Sequence, residues 1–309
     1  MNQKKIKLLS VGKANNEILF FQQWFAEAWV ACGGELLENK KWPHILSVVF
    51  GRNWPSFHFR RKDRLIVLGC GRIESAAWPN LLTSEIIPMM WDLWPDKIAP
   101  FCRFVRRHNI KTILCAASYT AIQLRELLPK VDIFWIPEGI NVDAYPMGGL
   151  LKDRPIDMLS YGRQMNIVVD KLRILANDEK YDILFREGDA HLFVTFNDLV
   201  KGLQSSKITI CYPQSVTHPE RAQDIETLTQ RYWEAMLTGT LLVGHAPKEL
   251  IEVCGYNPVI ELGDNPVTIV RDVLMHIKDY QELADKNRNC AEEKAGWDKR
   301  MPKIMEILK

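Results

Sequence analysis

A chain of 309 residues is about twice the size of a typical domain, so two domains of roughly 150 residues each are expected. Its 40 basic and 38 acidic side chains leave a net charge of +2, which argues against nucleic acid as a partner. No apolar run approaches the ~20 residues that span a bilayer, and the charged N-terminus leads into a strand, so we expect a cytoplasmic protein.

Short apolar runs alternate with segments of helical period through the first half of the chain. Strands are predicted at residues 7–11, 46–50, 65–69, 86–90, 112–116 and 133–136. Helices are predicted at residues 17–31, 96–108 and 119–128. Repeated units of this kind imply a mostly parallel sheet that is covered by helices on both faces.

After Pro137 the pattern breaks into a segment rich in glycine and proline, EGINVDAYPMGGLLKDRP, which is typical of a linker. A second α/β series follows, with strands predicted at 158–161, 183–185, 208–211, 241–244 and 259–262. Helices are predicted at 168–175, 197–203, 267–277 and 280–294, beside one that carries Glu234. We therefore predict two Rossmann-like α/β domains, at residues 1–150 and 151–309, whose parallel sheets face a central cleft.

Two glutamates, Glu226 and Glu234, precede a turn at Gly239 and the apolar run LLVGH. This order predicts a helix, its end at Gly239 and then a short buried strand. Residues eight apart are about 80° out of register on a helix, so Glu226 must lie in the loop or first turn if both face one ligand. A carboxylate beside a strand end can accept hydrogen bonds from sugar or ribose hydroxyls.

Gly162 and Arg163 directly follow the first predicted strand of the second half. A guanidinium at a strand end suits a phosphate group, although a surface salt bridge is the alternative. Arg231 stands three residues before Glu234, so the two share a helix face. Either they form an ion pair that stabilises the helix, or Arg231 contacts a diphosphate.

The segment from Cys211 to Glu226 is predicted to be a long polar loop, and such loops are commonly functional. Three residues of this loop are candidates for contact with the base or phosphate of a nucleotide ligand: Tyr212, Ser215 and Thr217. In the first half, Asp92 ends an apolar run and is a candidate for binding or activating an acceptor hydroxyl. The alternative for Asp92 is an N-cap of the helix that begins near Pro95.

Aromatic and basic residues of the first half suggest two further contacts. Rings in loop-like contexts can stack on sugar faces, with core packing as the alternative, and these are Trp54, Trp78, Trp91 and Trp94. Trp24 and Trp29 are predicted to be core residues of an amphipathic helix. The run FHFRRKDR at 57–64 either contacts anionic lipid headgroups at the inner membrane face or is a solvated loop.

Three of these segments resemble the motifs of group 1 glycosyltransferases of the GT-B fold, over residues 133–262. EAMLTGTLLVG is similar to the second half of that family's E-x7-E motif, LSYGR to its Gly-Arg, and IPEGINVDAY to its transition between domains. The chain has Thr227 to Thr229 where the family usually has Gly-Phe-Gly. It has Val168 where the family has a lysine, and Lys171 is the nearest replacement.

The resemblance implies a nucleotide-sugar donor on the second domain and a glycan, lipid-linked or small-molecule acceptor on the first, near Gly12 and Lys13. It implies retention, and a last helix, at 300–308, that crosses back to the first domain. Because no Asp-x-Asp stands out, we expect neither metal nor cofactor. The predicted catalytic residues are Asp92, Arg163 and Glu226, and the predicted donor-binding residues are Gly162, Arg163, Lys171, Tyr212, Ser215, Thr217, Arg231 and Glu234.

Two alternatives to a glycosyltransferase stay open. The first is an epimerase, or another enzyme that acts on the nucleotide sugar itself. The second is a binding protein with the same fold that has lost turnover.

Overall fold

A computed structural model describes residues 5–11, 20–39, 44–53, 63–188 and 190–309. Three segments named above therefore lie outside the described residues: Gly12 and Lys13, Trp54, and residues 57–62 of the basic run. Within the described part of the chain, no helix is long and apolar enough to cross a membrane.

The first domain contains a six-stranded sheet in the order β2-β1-β3-β4-β5-β6, and all its neighbouring strands are parallel. The strands are Ile6–Leu9 (β1), Glu35–Leu37 (β2), Asp63–Cys70 (β3), Ser84–Trp91 (β4), Thr112–Cys115 (β5) and Asp132–Trp135 (β6). The helices are Phe21–Ala31 (α1), His44–Asn53 (α2), Glu74–Ala77 (α3), Pro95–Arg107 (α4) and Ser118–Leu127 (α5), with a 3-10 turn at Asn80–Leu82. Central strands such as β4 are almost fully buried, as expected for a sheet covered on both faces.

One strand prediction in this domain is wrong. Residues 46–50, predicted as a strand, lie inside helix α2. A short apolar run fits a buried strand and a buried helix segment equally well by periodicity, so the pattern alone could not separate them. The three-residue strand β2 was not predicted.

The second domain contains a five-stranded parallel sheet in the order β11-β10-β9-β7-β8. Its strands are Ile156–Ser160 (β7), Ile183–Phe185 (β8), Ser206–Cys211 (β9), Leu241–Gly244 (β10) and Val259–Glu261 (β11). Its helices are Asn166–Glu179 (α6), Phe196–Gln204 (α7), Gln214–Thr217 (α8), Pro219–Ala222 (α9), Gln230–Leu237 (α10), Lys248–Cys254 (α11), Pro266–Met275 (α12), Gln281–Lys294 (α13) and Trp297–Ile307 (α14). Shorter 3-10 turns occupy Val142–Ala144, Leu151–Asp153 and Ile277–Tyr280. Two parallel α/β sheets confirm the predicted fold class.

Aromatic rings connect the two domains. Trp297 at the start of α14 packs edge-on against Phe25 of α1 and Trp91 of β4, with ring centroids 5.1 and 6.1 Å apart. On the other side of α1, Trp24 packs against Phe196 of α7 at 6.0 Å. Helix α14 thus contacts the first domain, and Trp24 is a core residue as predicted. The domains therefore share one continuous apolar core beside the cleft.

The strand order places the candidate site. In the second sheet the order reverses between β7 and β9, and ligands of open parallel sheets bind beyond the carboxyl ends of the strands at such a reversal. Arg163 follows β7 by three residues, and Tyr212 follows β9 directly. Both therefore lie at the edge where a ligand is expected.

Candidate functional site

Arg231 joins the two loops at the strand reversal. Its Nη1 donates to the carbonyl of Arg163 at 3.4 Å, and its Nη2 donates to the carbonyl of Tyr212 at 3.1 Å. Gly162 lets this side chain pass, since a Cβ at that position would collide with the Arg231 guanidinium. The predicted Gly-Arg motif and Arg231 are thus brought together, with Arg231 on the first turn of α10.

Three guanidinium groups converge on this edge of the cleft. Burial, and then the nearby Arg231, lower the pKa of Arg163 to about 10, while Asp92 acts in the opposite direction. Arg221 of α9, which the sequence did not single out, also acts on Arg163 and lies over the ring of Trp94, 5.7 Å from its centroid. The Nε of Arg163 is buried and has no hydrogen-bond partner among the described residues. A bound anion would relieve this repulsion and supply that partner.

Asp92 faces the cluster from the first domain. It follows β4 with a φ of +49°, the left-handed region that aspartate tolerates better than most residues. The thiol of Cys70 lies 3.6 Å from its Oδ2. The N-cap residue of α4 is Trp94, and no side chain makes a capping hydrogen bond to this helix. The alternative of Asp92 as the N-cap is therefore wrong. Asp92 is exposed, and its carboxylate acts on Arg163 of the second domain.

Glu226 lies in the loop before α10, as its spacing from Glu234 requires. Its Oε1 is 2.7 Å from Nε2 of His245, and its Oε2 accepts from the backbone N–H of Lys248 at 3.2 Å. His245 also contacts Glu261, with Nδ1 2.9 Å from Oε2. Burial lowers the pKa of His245, but the hydrogen bonds to Glu261 and Glu226 outweigh it and raise the pKa overall. His245, which follows β10, thus holds Glu226 at the end of that strand.

Glu234 is held by two tyrosines. Its side chain is only 5% exposed, and its oxygens accept from the hydroxyls of Tyr145 at 3.0 Å and Tyr161 at 2.6 Å. Burial raises the pKa of Glu234 above its ordinary value. The predicted ion pair with Arg231 is wrong: the guanidinium reaches the two strand-end loops instead. The two tyrosines come from the linker and from the end of β7, which spacing along the helix could not reveal.

Glu234→Gln should therefore cost about 1–3 kcal/mol of unfolding free energy, because the two tyrosines donate to different carboxylate oxygens and an amide places an NH2 donor at one of these positions. An exposed Glu–Arg pair would lose at most about 0.5 kcal/mol. Urea denaturation of Glu234→Gln, Tyr161→Phe and the double variant measures the difference. Additive losses would show that the 2.6 Å contact contributes nothing to stability.

Four further residues were predicted to bind the donor: Lys171, Tyr212, Ser215 and Thr217. The predicted loop after β9 instead holds the short helices α8 and α9. Tyr212 is buried there, and the hydroxyl of Ser215 is buried without a partner in the described chain. Thr217 bonds locally, with its Oγ1 2.9 Å from Nδ1 of His218. Lys171 is exposed on α6 and makes no hydrogen bond or ion pair to any described residue. The structure therefore leaves Lys171 outside the arginine cluster.

A small cavity of about 40 Å³ lies between the domains, next to Asp92. Glu138 of the linker lines it, is 7% exposed and was not singled out from the sequence. Burial and then Asp92 raise the pKa of the Glu138 carboxyl to about 8. A larger cavity of about 460 Å³ is lined by Gly71, Arg72 and residues of α4, and does not include the arginine cluster.

No family model and no curated protein matches the chain. Its fold is similar to that of several solved structures. A sucrose-phosphate synthase from Thermosynechococcus elongatus has 12% identity and a TM-score of 0.62, over 99% of this chain and 98% of that one. HepE from Anabaena, solved in complex with UDP-glucose, has 10% identity and a TM-score of 0.60, over 99% of both chains. A glycosyltransferase from Rickettsia africae has 14% identity and a TM-score of 0.55, over 99% and 98%. The chain thus has the GT-B fold, as the resemblance implied.

Proposed function

We propose that this protein is a glycosyltransferase that moves a sugar from a nucleotide-sugar donor to a hydroxyl-bearing acceptor. The observation that carries the proposal is the cluster of Arg163, Arg221 and Arg231 beyond the ends of β7 and β9, with the unpartnered Nε of Arg163. Guanidinium groups match the geometry of a diphosphate and stay charged at neutral pH. The similarity in fold to a protein solved in complex with UDP-glucose supports the same assignment.

The proposed mechanism is electrostatic. Negative charge develops on the nucleoside diphosphate as its bond to the sugar breaks, and fixed positive groups stabilise that charge without rearranging. Arg163 and Arg231 would contact the diphosphate, and Arg221 would approach it from α9. Asp92, on the opposite wall, would position the acceptor hydroxyl, whose oxygen bonds to the anomeric carbon of the sugar while its proton passes to the departing diphosphate. We also propose that the three arginines take the place of a metal ion at the diphosphate, and that the anomeric configuration is retained.

Arg163→Ala should weaken nucleoside-diphosphate binding by roughly 1.5–3 kcal/mol, the range for a hydrogen bond to a charged group. Calorimetric titration with UDP, GDP, ADP and TDP measures the affinity. Arg173→Ala is the matched control, because that arginine interacts with Phe185 and Glu187, away from Arg231. Equal affinity of Arg163→Ala and the wild type would remove Arg163 from the site.

The engagement of Glu234 by Tyr145 and Tyr161 favours a second candidate, a nucleotide-binding protein without turnover. If Glu234 contacts ribose, one of these tyrosines has to release it. Labelled UDP-glucose, with glycerol or a glucoside as acceptor, separates the functions. A transferase forms labelled glycoside, an epimerase converts the donor alone, and a binding protein does neither.

The proposal extends to the setting of the reaction. We propose a cytoplasmic enzyme of polysaccharide biosynthesis, whose acceptor is a glycan, a lipid-linked sugar or a small molecule. Peripheral contact with the inner membrane face would depend on the basic run at 57–64. Vesicle flotation with and without anionic lipid measures that contact.

A further inference from the structure

The 40 Å³ cavity between the domains contains an unusual concentration of unpaired polar atoms. Four of its lining residues each carry a buried side-chain atom without a hydrogen bond of good geometry among the described residues. These atoms are Nε1 of Trp91, Nε1 of Trp94, Oε1 of Glu138 and Oγ1 of Thr229. The indole of Trp91 does act on the Glu138 carboxyl and lowers its pKa, so the atoms of Trp94 and Thr229 are the ones left without any partner in the described chain. Buried polar groups are nearly always hydrogen-bonded, so these atoms around one cavity point to a polar group that binds there.

The size of the cavity limits that occupant. One water-sized group needs roughly 10–15 Å³ of such space, so the cavity accepts a hydroxyl or a hydroxymethyl group but no complete sugar ring. The opposing atoms also fit a hydroxyl. The two indole N–H groups can donate to its lone pairs, while Glu138 accepts its hydrogen when ionised.

Charge further restricts the occupant. Glu138 and Asp92 both line the cavity, and Asp92 contributes to the raised pKa of Glu138. The other ten lining residues carry no charge. The nearest guanidinium groups, of Arg163, Arg221 and Arg300, do not line the cavity. A phosphate or carboxylate inside it would therefore face two carboxyl groups directly. The cavity therefore selects an uncharged group.

The position of this cavity places it beside the proposed site of sugar transfer. Its first wall comes from the carboxyl ends of β4 and β5, and its second from residues 225–229, which lead into α10 and Arg231. Asp92 lines the cavity and also acts on Arg163. An occupant would thus lie in the first domain's half of the cleft, adjacent to the arginine cluster.

We infer that this cavity is a specificity subsite that binds one hydroxyl or hydroxymethyl group of an uncharged sugar or polyol acceptor, with Glu138 as its hydrogen-bond partner. The inference rests on the proposed glycosyltransferase function. The acceptor is then a molecule whose group in the cavity is uncharged and carries no phosphate.

The test uses the full chain, saturated with whichever of UDP, GDP, ADP or TDP raises its melting temperature most. Binding of methyl α-D-glucoside, glycerol and glucose 6-phosphate is measured by saturation-transfer NMR at pH 9, above the pKa of about 8 of Glu138, so that this carboxyl is ionised. The wild type should bind the neutral probes and prefer the glucoside to glucose 6-phosphate. Glu138→Gln should weaken glucoside binding by about 10- to 100-fold and Thr229→Val by about 3- to 10-fold, as expected for lost hydrogen bonds.

Glu249→Gln is the matched control. Glu249 is also a buried carboxyl in the cleft, but its oxygens accept from the backbone N–H groups of Ser118 and Leu228, and it does not line the cavity. Leu228 also lines the cavity, but Glu249 contacts only its backbone N–H, so this variant should keep glucoside affinity within about twofold of the wild type. Unchanged nucleotide affinity in Glu138→Gln shows that its fold is intact.

The outcomes separate the two proposals. Failure of all four nucleotides to bind would reject the glycosyltransferase proposal at its first step. Three other outcomes would overturn the subsite alone. In the first, a nucleotide binds but no neutral probe does. In the second, Glu138→Gln binds the glucoside as tightly as the wild type, and in the third the wild type binds glucose 6-phosphate as tightly as the glucoside. A crystal structure of the soaked nucleotide complex with only water in the cavity would overturn it too.

Discussion

Arg300→Met should destabilise the protein by about 3–5 kcal/mol, at the upper end for a single substitution. The guanidinium of Arg300 is buried on α14 and donates to four backbone carbonyls: Pro137 at 2.8 Å, Glu138 at 3.0 Å, Lys294 at 2.7 Å and Gly296 at 2.9 Å. Methionine keeps the aliphatic stem but removes this donor from all four carbonyls, of which that of Glu138 keeps Trp233 Nε1 and that of Gly296 keeps the N–H of Lys299. Urea denaturation measures the loss.

Arg271→Met is the control for this substitution, because the side chain of Arg271 is 40% exposed and makes one ion pair, with Glu179 at 3.1 Å. It should lose less than about 1 kcal/mol. A similar small loss in Arg300→Met would mean that the linker carbonyls find other donors. Because two of the four carbonyls belong to the linker that carries Glu138, we also expect Arg300→Met to weaken glucoside binding.

Local patterns predicted most of the second domain. Strand β10 lies at 241–244 and β8 at 183–185, as predicted, because short apolar runs there are bounded by clear turn and helix signals. The first domain was harder to predict. Residues 46–50 belong to α2, where an apolar run of five residues offered no period long enough to distinguish the two structures.

The residues of the candidate site also differ in whether local sequence could predict them. Gly162 and Arg163 could be found from the sequence because they follow a strand directly, and position relative to a strand end is a local property. The partners of Glu234 could not, because Tyr145 is 89 residues away and Tyr161 is 73 away. Glu138 and Arg221 were missed for the same reason. Their contacts with Asp92, Trp94 and Arg163 join residues far apart in sequence, which no local pattern records.

The second large effect concerns pH. Burial, and then Asp92, raise the pKa of Glu138 to about 8, and burial raises that of Glu249 to about 7. An unfolded chain loses both protons near pH 4.5, so between that pH and about 8 the folded state binds more protons than the unfolded state. The unfolding free energy should therefore be highest at the acid end of this window and fall as pH rises. His245, whose pKa is also raised, acts in the same direction.

We expect a decrease of about 2–4 kcal/mol between pH 5 and pH 8, measured by urea denaturation in buffers of equal ionic strength. Glu138→Gln should flatten the curve because a neutral amide has no proton to lose, and the Glu138→Gln/Glu249→Gln double variant should flatten it further. Glu282→Gln, at an exposed position in the first turn of α13, should keep the wild-type slope. A Glu138→Gln slope equal to that of the wild type would mean that Glu138 ionises in its ordinary range. The cavity would then be open to bulk water, and water rather than an acceptor hydroxyl would solvate its buried polar atoms.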